Sequence, residues 1–212
     1  QEFLRVVREL SKRCFVPLTA GGWVESVDDI RNFLLNGADK VAINTKAFEE
    51  PKFISEAAKV FGNQCIVVSI DARRCPDGSH EVIVDRGRKA TGVSVVEWAK
   101  TAEEHNAGEI LLTSIDNDGS RKGYDIELIK KVSNALTIPV IAFGGVGKWE
   151  HLVEGITKGG AEAVAAANIF HYMEHSTKLA KEYLVEQEID TRKPFFYVLN
   201  APRKPEYKVR GY

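Results

Sequence analysis

Two short motifs recur in this chain at one fixed separation, and that repeat constrains the fold more than any single segment does. Gly21-Gly22 returns as Gly144-Gly145, and Gly37-Ala-Asp-Lys-Val-Ala42 returns as Gly160-Ala-Glu-Ala-Val-Ala165. The step from 21 to 144 equals the step from 37 to 160, although a helix-like stretch separates the motifs in each copy. Matching offsets over two motifs mark an internal duplication. In each copy an apolar run leads into the glycines and an amphipathic stretch follows, so the repeated unit is strand, turn, helix.

The rest of the chain alternates in the same way. Helices are expected over Phe3–Lys12, from Ser26 to Gly37, and over Pro51–Phe61, Val95–His105, Asp125–Leu136, Trp149–Lys158 and Thr177–Gln187. Ser26 is a capping residue with Asp28 and Asp29 in the first turn, and Ser94 with Glu97 has the spacing of a capping box. Strands are expected over Phe15–Ala20 and Lys40–Ile43, up to Asp71, from Glu109 to Asp116, and over Pro139–Phe143 and Ala163–Ile169. A β-hairpin, Glu81–Asp85 and Lys89–Gly92, follows the strand that ends at Asp71. The fold class is therefore α/β with a parallel sheet. Four strand-helix units separate the two copies, and two such halves make a (β/α)8 TIM barrel. Six parallel strands are found, so two βα units are expected to precede residue 1. The first residue is not Met, which agrees with an opening in mid-fold. Residues 1–190 are read as barrel strands 3 to 8, and 191–212 as a C-terminal tail to which no structure is assigned.

Charge excludes little but removes some classes. The chain carries 29 basic and 30 acidic residues, so no global field draws it to nucleic acid or a membrane surface. No apolar run spans a bilayer and no secretory signal is visible, so a cytoplasmic location is expected. Cys14, Cys65 and Cys75 lack metal-ligand spacing and read as reduced thiols. No metal or cofactor is expected.

The strongest single stretch is Cys65-Ile-Val-Val-Ser-Ile-Asp71, a buried strand ending in a carboxylate. It is echoed by Ile110-Leu-Leu-Thr-Ser-Ile-Asp116, followed by Asn117-Asp118-Gly119. Barrels keep their chemistry at the C-terminal ends of strands, so Asp71 and Asp118 are the acid–base candidates. Two carboxylates on neighbouring strands can hold different pKa values and divide the roles. Asp116 reads instead as a structural acceptor for its own loop. Gly21, Gly22, Gly144 and Gly145 precede helices, where free backbone N–H groups can cradle phosphate. A bland alternative is that they only make tight turns; the duplication favours two related phosphate sites and a substrate phosphorylated at both ends. Asn44 with Thr45, and Ala167 with Asn168, end the strands after each glycine pair and complete the cradles. Gly119 is grouped with them, and Thr113 either contacts substrate or satisfies backbone. Lys40 and Glu109 begin their strands and read, on residues alone, as ordinary charges at the opposite mouth.

Four stretches, Gly37-Ala-Asp-Lys-Val-Ala-Ile-Asn-Thr45, Val67-Val-Ser-Ile-Asp-Ala72, Gly108-Glu-Ile-Leu-Leu-Thr-Ser-Ile-Asp-Asn-Asp-Gly119 and Lys122-Gly-Tyr-Asp125, resemble the cyclase subunit family of imidazole glycerol phosphate synthase. The similarity runs from about residue 3 to 190. It implies a (β/α)8 barrel that takes ammonia from a glutaminase partner. That ammonia reacts with a phosphoribulosyl-formimino-aminoimidazole-carboxamide ribonucleotide to give imidazole glycerol phosphate, in histidine biosynthesis. The resemblance implies that Asp71 is the second of two essential aspartates, with the first in the preceding strands, so that this stretch alone is inactive. It also implies that Asp118 supports it, that Asn44 and Thr45 hold one phosphate, and that Gly144 and Gly145 hold the other. Lys40 and Glu109 would surround the ammonia entrance, and Asp39 would face the glutaminase. Three residues depart from the family pattern: Trp23 replaces a third glycine, and Phe143 and Asn168 replace serines. An indole at 23 is expected to crowd the close backbone approach that glycine permits. These departures keep a paralogue in view whose ammonia goes to a bacterial surface sugar. A non-catalytic barrel that only docks a glutaminase is the third reading.

Overall fold

The computed structural model describes residues 2–171 and 176–192. The expected tail lies outside these residues from position 193 onward. Helix α1 (Glu2–Ser11) leads to strand β1 (Thr19–Gly21), helix α2 (Val27–Leu35) and strand β2 (Lys40–Ile43). Helices α3 (Thr45–Glu49) and α4 (Lys52–Phe61) then precede the longest strand, β3 (Ile66–Arg74). A hairpin of β4 (His80–Val84) and β5 (Lys89–Ser94) leads to α5 (Val95–Glu104), β6 (Glu109–Ser114) and α6 (Ile126–Ser133). The last elements are β7 (Val140–Phe143), α7 (Trp149–Thr157), β8 (Ala163–Val164) and α8 (Ser176–Glu186).

The parallel strands lie in the order β1-β2-β3-β6-β7-β8, and the hairpin is attached through β4 to the C-terminal half of β3. Each parallel crossover carries at least one helix, so the sheet curls as a TIM-barrel-like α/β fold. Among the described residues, strands β1 and β8 each have one parallel neighbour.

Alternation along the strands splits the sheet into two faces. Val41, Ile43, Ile66, Val68, Ile70, Ile110, Leu112, Val140 and Ala142 are essentially sealed from solvent beneath the helices. The other face carries Lys40, Ala42, Ser69, Asp71, Glu109, Leu111, Thr113 and Phe143, all half-buried. In-register pairing sets Asp71 beside Thr113, and Thr113 beside Phe143. The polar residues of interest thus share the concave face, and the helix-covered face supplies the core.

Several local expectations hold in detail. Ser26 and Asp29 form a reciprocal capping box at α2, and Gly62 ends α4 at a φ of 85°. Others need correction. Ser94 makes no side-chain cap, because it is still paired with Glu81 in β5. The first strand is only Thr19–Gly21: Phe15 is 88% exposed, so apolar character upstream does not reflect burial. The last strand stops at Val164, and Asn168–His171 forms a 3₁₀ turn instead. Helix α3 is too short to show a period in the sequence.

Candidate active site

Asp71 is not the last residue of its strand, as its sequence suggested. Strand β3 continues to Arg74 because β4 returns antiparallel against it, with Asp71 opposite Ile83. The carboxylate accepts from the Asn44 side-chain amide at 3.0 Å and is hydrogen-bonded by the Thr113 side chain. Burial pushes its pKa above the ordinary carboxylate value. The bonds from Asn44 and Thr113 pull it down, and the nearby negative charge of Asp118 pushes it up again. An acid held this way keeps its proton to higher pH than an ordinary carboxylate.

Asp118 sits exposed in the loop after β6, and its backbone N–H donates to the carbonyl of Ser114 at 3.0 Å. Gly119 follows it with a φ of 73°. Asp116 accepts from the Arg74 backbone N–H at 2.8 Å, so its role is structural, but the donor ends β3 and does not belong to its own loop as expected. The structure therefore separates the two acids of that loop, one holding backbone and one acting on Asp71 through its charge.

The glycine pairs differ. A cavity of about 560 Å³ opens beside Asp71, lined by Gly21, Gly22, Trp23, Asn44, Thr45 and Arg86 among others. Gly22 has a φ of 119°, and a Cβ there would meet nothing within 4 Å, so its backbone faces open space. Gly21 is required for packing: its Cβ would come within 2.6 Å of the Ala42 carbonyl oxygen. Thr45 is already engaged, its hydroxyl accepting from the Asp85 backbone N–H at 3.1 Å. The second hollow, lined by Asp118, Gly119, Gly144, Gly145, Ala167 and Asn168 among others, encloses about 10 Å³. That is room for about one water-sized sphere. Gly144 and Gly145 are buried there. Cβ atoms on them would come within 2.8 Å of the Ser114 carbonyl and 2.2 Å of the Gly123 carbonyl. At this turn close backbone packing accounts for both glycines, and Phe143 stands half-buried in the wall.

Trp23 does not fill the first cradle. Its backbone is left-handed at a φ of 51°, and the indole is 76% exposed beneath the Arg86 guanidinium. Arg86, Asp85, Glu25, Lys46 and Ser69 also line this cavity, and the sequence reading had assigned none of them. Ser69 was recoverable by alternation, since it shares a face with Asp71 two residues on.

At the other end of the concave face, Lys40 and Glu109 form a partly buried ion pair that reaches across β3. Asp39, beside it and exposed, accepts from the Leu18 backbone N–H at 2.7 Å. Glu109 is in register with Val67, four residues before Asp71, so about 13 Å of strand separates the ion pair from the carboxylate.

The model of one protein family, described as histidine biosynthesis protein, matches residues 1–176. The chain belongs to this family. In this histidine biosynthesis protein the matched span contains every strand, both glycine turns and Asp71, and reaches the first residue of α8. The family assigns the chain to enzymes of histidine biosynthesis. Among the described residues no helix is long and apolar enough to cross a membrane.

Proposed function

We propose that this chain is an ammonia-using cyclase subunit of the imidazole glycerol phosphate synthase type, served by a glutaminase partner. The observation that carries this reading is the position of Asp71 midway along one continuous face. The Lys40–Glu109 pair lies at one end of that face and the cavity at Gly22 lies beside the other. Ammonia admitted at the charged end would pass Val67 and Ser69 and reach a ligand held next to Asp71. The raised pKa of Asp71 suits it to move a proton during ring closure, with Asn44 and Thr113 fixing its orientation. Asp118 acts through its charge and sets how readily Asp71 releases that proton. One phosphate of the ribonucleotide would rest on the Gly21-Gly22 turn, which is open as it stands, and the hollow at Gly144-Gly145 would have to widen to take the other.

The test is turnover of the histidine-pathway ribonucleotide by the full-length protein with ammonium salt as nitrogen source. Formation of imidazole glycerol phosphate is expected; its absence, with the ribonucleotide bound, would refute the cyclase assignment. A second reading, ammonia delivery for amidation of a surface sugar, is favoured by the near-closed hollow at Gly144-Gly145 and by Trp23, Phe143 and Asn168 at the two cradles. It predicts that the ribonucleotide is not turned over while the glutaminase still docks. Docking with no binding of any bis-phosphate would instead favour the non-catalytic barrel.

A further inference from the structure

The contact between Trp23 and Arg86 joins two turns far apart in the sequence. Trp23 follows the Gly21-Gly22 turn, and Arg86 lies in the turn between β4 and β5. The guanidinium carbon is 5.8 Å from the indole centroid, within the range of a cation–π contact. Both residues are exposed, and both adopt left-handed backbone, with φ values of 51° and 58°. Side chains of this size rarely take that conformation, and strain of this kind gathers at ligand clamps. The hairpin turn is also tied down next to this contact, through the bond from the Asp85 N–H to Thr45.

The charges around the cavity single out Arg86. Lys46 is committed elsewhere, 2.7 Å from Glu50 and lying over the Phe53 ring. Among the described residues Arg86 has only its neighbour Asp85 as an ion-pair partner, at 3.9 Å, beyond hydrogen-bonding distance. A guanidinium lying over a ring without a hydrogen bond to it still has N–H donors for an anion, and their fork matches phosphate oxygens.

We propose that Arg86, positioned by Trp23, grips a phosphate group of the ligand that lies in the cavity at Gly22, Asn44 and Thr45. Arg86 is the binding residue and Trp23 a positioning residue. The inference rests on reading that cavity as a phosphate cradle, and it adds a second cation to one whose Lys46 is already paired with Glu50. It also gives the departure from glycine at position 23 a use: the indole holds the arginine in the cavity lining.

The test is calorimetric titration of the full-length protein with inorganic phosphate, followed in parallel by indole fluorescence. Wild type is expected to bind phosphate with a change in emission that is lost in Trp23→Phe, which retains most of the affinity. Arg86→Gln is expected to weaken binding about 10-fold or more, and Arg86→Lys to recover only part of it. Trp23→Ala is expected to weaken binding several-fold in the wild-type background and not at all in Arg86→Gln. Equal affinity in Arg86→Gln would overturn the role of Arg86 while leaving the cradle intact. An undiminished Trp23→Ala effect in Arg86→Gln would overturn the positioning role. A wild type that binds no phosphate would remove the cradle and this inference together.

Discussion

Asn44 donates to Asp71 across two neighbouring parallel strands, at 3.0 Å, and so links the end of β2 to the middle of β3. The bond opposes the effect of burial on the carboxylate. If ionised Asp71 acts as a base, its rate limb follows the raised pKa. Replacing Asn44 with Ala removes the opposing bond, so the limb in kcat/KM should move to higher pH. A pH profile of Asn44→Ala against wild type checks the direction. Asn44 makes no capping bond to α3, so the helix should survive the change.

Under the proposed function, Asp71→Asn should reduce ammonia-dependent turnover by about 10²-fold or more, the usual worth of a placed acid or base. Docking of the proposed glutaminase partner, measured by titration, should be unchanged.

The same substitution should stabilise the fold at neutral pH. Asp71 has a higher pKa folded than unfolded, so the native state binds its proton more tightly. Its contribution therefore falls as pH rises from the ordinary carboxylate value through the raised one, and stays lost above it. Melting temperature against pH should show this slope in wild type and not in Asp71→Asn, with the variant melting higher at pH 7.

Asp125 should behave in the opposite sense. Burial alone would raise its pKa, but the Leu128 N–H, His80 and Arg74 outweigh burial and lower it. Its contribution is present above the unfolded value and is lost as pH falls through the lowered native one. Asp125→Ala removes the α6 cap and bonds to two side chains that hold the hairpin base to α6. The expected cost is about 2–4 kcal/mol by urea unfolding at pH 7, from a cap worth about 1 and a charge-assisted bond worth about 1.5–3.

Lys40→Met leaves Glu109 partly buried without its partner and should cost about 1–3 kcal/mol in urea unfolding. Adding Glu109→Leu should return most of that loss. Under the proposed function, glutamine-driven turnover should suffer in Lys40→Met more than ammonium-driven turnover, which bypasses the partner.

Much of this arrangement was readable in the residues. The apolar runs around Val41, Val68 and Leu112 are strands, as their continuous apolar character announced, although they are sealed on the helix side and only half-buried on much of the other. The repeat announced the barrel-like curl. What escaped were features set by contacts distant in sequence. Asp71 continues its strand only because the hairpin folds back on it. Phe15 is apolar yet exposed, which no pattern reveals. Arg86 reaches the cavity through a hairpin whose direction depends on the buried His80–Asp125 contact at its base. The two glycine turns looked equivalent in sequence, and only packing distinguishes them.

That difference between the turns bears on how a duplicated half diverges. Gly22 stands at a doorway, while Gly144 and Gly145 have become the pin of a joint, pressed against the carbonyls of Ser114 and Gly123. A side chain introduced at the doorway meets empty space, and only the positive φ of Gly22 resists it. One introduced at the joint must displace main chain. Novelty in ligand preference should therefore accumulate in the first copy, while the second stays tied to holding the loops after β6 and β7 together.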